Sequence, residues 1–167
     1  MYAYEHRQYG PWSFVCLVSA LGAFGIVAYE VAYREARADI VFPAAFVGLL
    51  MLAMCALMSY LDVYDAGGSL AVRFGPIPLF GTSIPYDRIE SVERTRLSVL
   101  LHGYGVHGLP GFYIVFSIWG FGAVRVRLKE RRGMTRVKTV IIGTDEPDAL
   151  LEFLGTKIGQ SPVQPVP

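Results

Sequence analysis

Charge is scarce in this chain, and in two long stretches it is absent. Asp, Glu, Lys and Arg make up 17% of the 167 residues, against about 25% in an ordinary globular domain. The deficit is local. Residues 12–29 and 40–61 hold no charged side chain, whereas the chain from residue 66 onward has the texture of a small domain. Cysteine is nearly missing too. Cys16 and Cys55 are the only two, both inside the apolar runs, and neither has a partner at metal-ligand spacing. This excludes a disulfide framework and a cysteine-based zinc site, leaving two thiols that behave as small hydrophobes. G-x-S-x-G, H-E-x-x-H and C-x-x-C are absent as well, so no sequence signature marks a nucleophilic serine, a zinc hydrolase or a redox dithiol.

What is present begins with the two charge-free runs. At ~1.5 Å rise per residue they cover about 27 and 33 Å as helices, enough to cross a hydrocarbon core of ~30 Å. In lipid the backbone must bond to itself, which selects helices. A buried pair in a soluble bundle would keep a polar stripe, and these runs have none. A cleaved signal peptide fits less well, because Glu5 accompanies Arg7 and the best small-residue site, "VSA" at 18–20, falls mid-run. The polar link "EVAYREARAD" at 30–39 is short. It predicts an antiparallel hairpin with both termini on one side. Ala20, Ala23, Ala44 and Gly48 would let the helices approach closely. Tyr9, Trp12, Tyr60 and Tyr64 would mark one interface, and Tyr29, Tyr33 and Phe42 the other. Arg34 and Arg37 in the link balance Arg7 and Arg73 on the flanks, so charge bias assigns no orientation. Glu30, Asp62 and Asp65 are expected at interface depth, not at the midplane where acids signal transport.

From Ala66 the pattern changes to short alternating segments divided by glycine and proline. "SLAVRF" (69–74), a short piece around Ile84, "RIESVERTR" with Ile89 and Val92 inward on a bulged strand, "FYIVFSIWG", "AVRVRLK" and "VKTVIIG" all read as strands. "FYIVFSIWG" and "AVRVRLK" are expected to pair as a hairpin about Gly120 and Gly122. "TDEPDALLEFLGTKI" is an amphipathic helix. Thr144 or Asp145 is its N-cap, Pro147 lies in the first turn, and Leu150, Leu151, Phe153, Leu154 and Ile158 form the apolar stripe. The proline-rich residues 159–167 are expected to be a disordered tail.

"IPYDRI" (84–89), "GYG" (103–105), the strand pair after it and "GTDEP" (143–147) occur in an order that resembles the bacterial pleckstrin-homology-like domains attached to membrane spans. The resemblance covers about residues 66–158, and the preceding hairpin suits that family. It implies an α+β, mainly β architecture. Two transmembrane helices (residues 1–65) would precede a split β-barrel of six or seven strands capped by the C-terminal helix. It also implies the cytoplasmic membrane face and does not imply an enzyme, and with no catalytic constellation in the chain no catalysis is expected. The basic loop of the eukaryotic phosphoinositide site has no counterpart here, so that site is not carried over.

"HGYGVHGLPG" (102–111) contains G-x-G-x-x-G in Gly103, Gly105 and Gly108. A dinucleotide fingerprint needs a helix after the glycines, but a β-branched, aromatic run follows, so the glycines are read as turn and bend residues. His102 and His107 flank the motif without acids or cysteines nearby. They carry the alternative reading, a small membrane enzyme handling a lipid or small molecule. The strongest electrostatic feature is Arg125, Arg127 and Lys129 on one strand face, followed by Arg131, Arg132, Arg136 and Lys138. That run is read as a solvated face or as a surface for anionic lipid headgroups or a protein partner, at ~1 kcal/mol per basic residue near a bilayer. Neither a cofactor nor nucleic acid is expected. The partners expected are membrane lipids and another protein or a second copy of the chain.

Overall fold

The computed structural model describes residues 4–77, 79–97, 105–109, 111–132 and 137–159, without the side chains of 131 and 132. Two long apolar helices, α1 (Trp12–Tyr33) and α2 (Ala38–Leu57), form an antiparallel hairpin. Ala20, Ala23 and Gly48 are buried at its seam, with the Phe24 ring packed directly on Gly48. Ala44 is half-buried. Apolar side chains cover the rest of the surface, so both helices are long and apolar enough to cross a membrane.

The hairpin is inserted between two neighbouring strands. β1 (Glu5–Tyr9) leads into α1, β2 (Tyr60–Asp65) follows α2, and the two pair antiparallel with Tyr9 opposite Tyr60. Sequence patterning ran the second span to residue 61 and began the domain at 66. Instead α2 ends at Leu57, because the Ser59 hydroxyl donates to the Cys55 and Ala56 carbonyls and turns the chain. Leu61 and Val63 then point inward. Asp62 and Asp65, expected at interface depth, are strand residues of the domain, and Tyr64 sits about 13 Å along the strand from Tyr60.

β3 (Ser69–Phe74) and β4 (Gly81–Pro85) complete a sheet in the order β1-β2-β3-β4. After a 3-10 turn (Tyr86–Arg88), β5 (Ile89–Arg96), β6 (Gly105–Leu109), β7 (Tyr113–Ser117), β8 (Gly122–Arg132) and β9 (Val137–Gly143) form a second sheet, ordered β5-β8-β9-β7-β6. Helix α3 (Pro147–Ile158) closes the domain. The α+β class therefore holds, with two sheets of four and five strands in place of a closed barrel. Seven strands follow residue 66, and β1 and β2 are additional.

Two local expectations hold and one fails. Ile89 and Val92 are buried on a β5 whose register breaks between Ile89 and Ser91. Pro147 opens α3, and Leu150, Leu151 and Leu154 are buried, while Gly159 ends the helix in the left-handed region. The hairpin of β7 with β8 does not form. β9 lies between them, parallel to β7 and antiparallel to β8. The reason is burial: residues 140–143 of β9 are buried on both faces, and a strand of that kind belongs at the sheet centre.

One core joins the sheets and α3. Leu61, Val72, Phe74 and Ile84 of the first sheet meet Phe116, Val126, Val140 and Ile142 of the second, with Leu150 and Leu154 from the helix. At the end away from α1 and α2, Asp65 is buried and accepts hydrogen bonds from Gly67 N (2.8 Å) and the Tyr86 hydroxyl (2.7 Å), with Lys157 Nζ at 2.9 Å. Burial by itself would raise its pKa, but Lys157, Tyr86 and Gly67 outweigh burial and hold the carboxylate below its ordinary range. Burial and the Asp65 charge push the Tyr86 hydroxyl the other way, upward.

Candidate functional site

The outer face of the five-stranded sheet collects most of the residues singled out by charge. Arg125, Arg127 and Lys138 line a concavity of about 460 Å3 with Phe112, Tyr113, Thr139, Ile141 and Glu90. Strand alternation creates this arrangement. Val124, Val126 and Leu128 turn into the core, which sends Arg125, Arg127 and Lys129 outward. A second, smaller apolar cluster of Leu97, Val115, Ala123 and Ile141, with Tyr113 against it, supports the face from beside the groove.

The groove is less basic than the sequence suggested. Arg125 Nη1 donates to Glu93 Oε1 at 2.7 Å, and Arg127 Nη2 lies 3.6 Å from the same oxygen. Lys138 Nζ is 3.8 Å from Glu90. Lys129 leaves the groove and donates to the Asp87 carbonyl at 2.7 Å. Both glutamates come from β5, which 25 residues separate from β8. The inward Ile89 and Val92 on a bulged "RIESVERTR", which leave Glu90 and Glu93 outward, were the available signal. Arg136 and the side chains of Arg131 and Arg132 lie outside the described residues.

The basic strand also points away from the hairpin. The turn before β8 sits at the hairpin base, where Gln8 Nε2 donates to the Trp119 carbonyl at 2.9 Å. From Gly122 the strand rises ~3.3 Å per residue, placing Arg125 about 10 Å and Lys129 about 23 Å farther along. Lys129 ends beside the 3-10 turn whose Tyr86 binds Asp65.

His107 and the described glycines of the motif share one strand, β6, so Gly105 and Gly108 are strand residues and not the turn residues expected. The next element is strand β7. A Cβ on Gly108 would fall 2.2 Å from the Tyr113 carbonyl oxygen, so close strand packing requires that glycine. His107 shares one cross-sheet row with Val115, Ile141, Arg125 and Glu93. Three strand spacings of ~4.8 Å part it from Arg125, about 14 Å in all, with buried Val115 and Ile141 between. His102 and Gly103 lie outside the described residues. Among the described residues no group of three or more His, Cys, Asp or Glu side chains could hold a metal ion. A histidine the sequence reading passed over has two acidic neighbours: His6 Nε2 is 2.6 Å from Asp145 Oδ1, and Nδ1 is 3.4 Å from Glu146. It ties β1 to the segment leading into α3.

No family model, curated protein or solved structure matches this chain.

Proposed function

We propose that the chain is a membrane-anchored interaction module without catalysis. In this reading the helical hairpin spans the membrane, and a pleckstrin-homology-like domain stands at the cytoplasmic face with both termini. The groove of Arg125, Arg127 and Lys138 over Phe112 and Tyr113 receives an acidic segment of a protein partner. The supporting observation is the groove's composition, since arginine beside exposed aromatics is the chemistry enriched in protein interfaces. Its internal ion pairs are solvent-exposed and worth at most ~1 kcal/mol each, so a partner's carboxylates can replace Glu90 and Glu93 at little cost. A protein is favoured over anionic headgroups by distance: residues 10 Å and more along β8 lie beyond a Debye length of ~8 Å from the hairpin base. In the enzyme alternative through His102 and His107, His107 would act from β6, and His102 lies outside the described residues.

The test is photocrosslinking in living cells from a reactive residue at Thr139. A crosslinked protein that disappears in R125E/R127E, with membrane insertion retained, supports the proposal. An unchanged crosslink in the charge-reversed chain refutes it. A reporter fused after Pro167 should signal cytoplasm, and a signal from the opposite side overturns the orientation.

A further inference from the structure

Two loops far apart in sequence lie at the base of the hairpin, and both expose large apolar side chains. In the β3–β4 loop, Ile77, Leu79 and Phe80 are 49%, 66% and 49% exposed. In the β7–β8 turn, Trp119 and Phe121 are 46% and 62% exposed. Such clusters are uncommon on a surface facing water.

Their position follows from contacts with the ends of the spans. Gly75 opens the β3–β4 loop, donates to the Tyr60 carbonyl at 2.8 Å, and crosses the carboxyl end of α2. A Cβ there would fall 2.6 Å from Ala56 O and 2.8 Å from Leu57 O. On the other side, Gly10 lies against Ile118, and Gln8 binds Trp119 O. The loops therefore flank the two points where chain passes between helix and sheet, at the depth of Tyr9 and Trp12. Between the β3–β4 loop and the hairpin, a cavity of about 220 Å3 is lined by Met54, Leu57, Met58, Phe74, Phe80 and Val106. Apolar cavities of about 150 Å3 already accept benzene.

We infer that this end of the domain is a second membrane contact, with Ile77, Leu79, Phe80, Trp119 and Phe121 inserted into the interfacial layer of the bilayer around the hairpin. Lipid is the occupant because the patch adjoins the exposed apolar surface of α1 and α2, with the charged concavity of Glu5, Arg7, Asp62 and Arg73 beside Gly75 and Pro76 as its polar margin. Tryptophan and flanking apolar side chains partition to that depth. The domain is then seated on the bilayer in a set orientation, and the groove on the outer sheet face stays turned to the side. The inference rests on the spanning reading of the hairpin.

The chain has two tryptophans, Trp12 and Trp119, which makes the test direct. Full-length W12F, reconstituted in vesicles of neutral lipid brominated near the headgroup end of the acyl chains, reports Trp119 alone. W119F reports Trp12 alone. The inference expects both to lose emission to a similar extent, and to resist aqueous iodide. Quenched Trp12 with unquenched, iodide-accessible Trp119 overturns the second contact while leaving the spans intact. If neither is quenched by bromine, the spanning reading fails and takes the inference with it. The unmodified chain supplies a check without substitution: a bromine-insensitive, iodide-sensitive fraction of its emission counts against the inference. Introducing L79S and F121S into W12F should weaken Trp119 quenching but keep membrane insertion, and unaltered quenching would count against insertion by these loops.

Discussion

Phe46 and Phe116 carry the same side chain in opposite surroundings. Phe46 projects from α2 at 66% exposure, whereas Phe116 is 2% exposed between the two sheets. The hairpin wears its apolar residues outside, and the domain buries most of its own between the sheets, apart from the loops at the hairpin base and Phe112 in the groove. One sequence thus builds two kinds of surface, and the boundary between them is a strand pair, Tyr9 opposite Tyr60, not a flexible linker. The domain's first sheet cannot form unless the hairpin returns the chain to its starting point.

Substitutions that separate the two regions should fall in a clear order. Phe116→Ala removes a ring from the core and should cost about 3–5 kcal/mol. Phe46→Ala should cost about 0.5 kcal/mol or less. Urea titration of the detergent-solubilised chain compares them directly, and equal losses would erase the distinction.

Asp65→Asn strikes the buried charge at the far end of the domain and should cost about 1.5–3 kcal/mol, the range for hydrogen bonds to charged groups. The pH dependence has a definite sign. Because the folded-state pKa of Asp65 lies below its ordinary value, its contribution is complete above the unfolded value of about 3.9 and is lost as pH falls below it. Asp65→Asn should flatten that part of the acid limb. An unaltered limb would show that other carboxylates dominate it.

Gly75→Ala tests the seam between the regions. Its φ of +60° and the nearby α2 carbonyls leave no room for a Cβ, and a strained residue of this kind costs about 1–3 kcal/mol. Trp119 emission should also shift, since the β3–β4 loop must move off α2. The smallest effect belongs to Arg94→Ala. Its 2.8 Å pair with Asp148 fastens α3 to β5 at the surface, where such pairs contribute at most ~1 kcal/mol. A larger loss in the thermal midpoint would reveal packing by the arginine stem.

What could be read early was local. The charge-free runs, the seam residues Ala20, Ala23 and Gly48, the break at Ile89 and the stripe of α3 each announce themselves within one or two turns or a few strand residues. β2 was readable in principle: "YLDVYD" alternates Leu61 and Val63 against Asp62 and Tyr64, but its apolar half was absorbed into the preceding run. β1 was not readable, because "EHRQY" buries only Gln8 and becomes a strand only when β2 is beside it.

The groove divides in the same way. The outward row of Arg125, Arg127 and Lys129 follows from period-two alternation. Their neutralisation by Glu93 and Glu90, and the direction of β8 away from the hairpin, depend on which strands become neighbours.

The sequence by itself determined where this chain is most apolar, where the two long helices, the strands with clear alternation and α3 lie, and which face of each is buried, because these follow from the period of neighbouring side chains. Only the tertiary structure decided that the hairpin interrupts a sheet, that β9 separates β7 from β8, and that two apolar loops lie at the base of the hairpin. Those outcomes rest on pairing between residues tens of positions apart, where burying both faces of β9 and satisfying the strand edges outweigh any local preference.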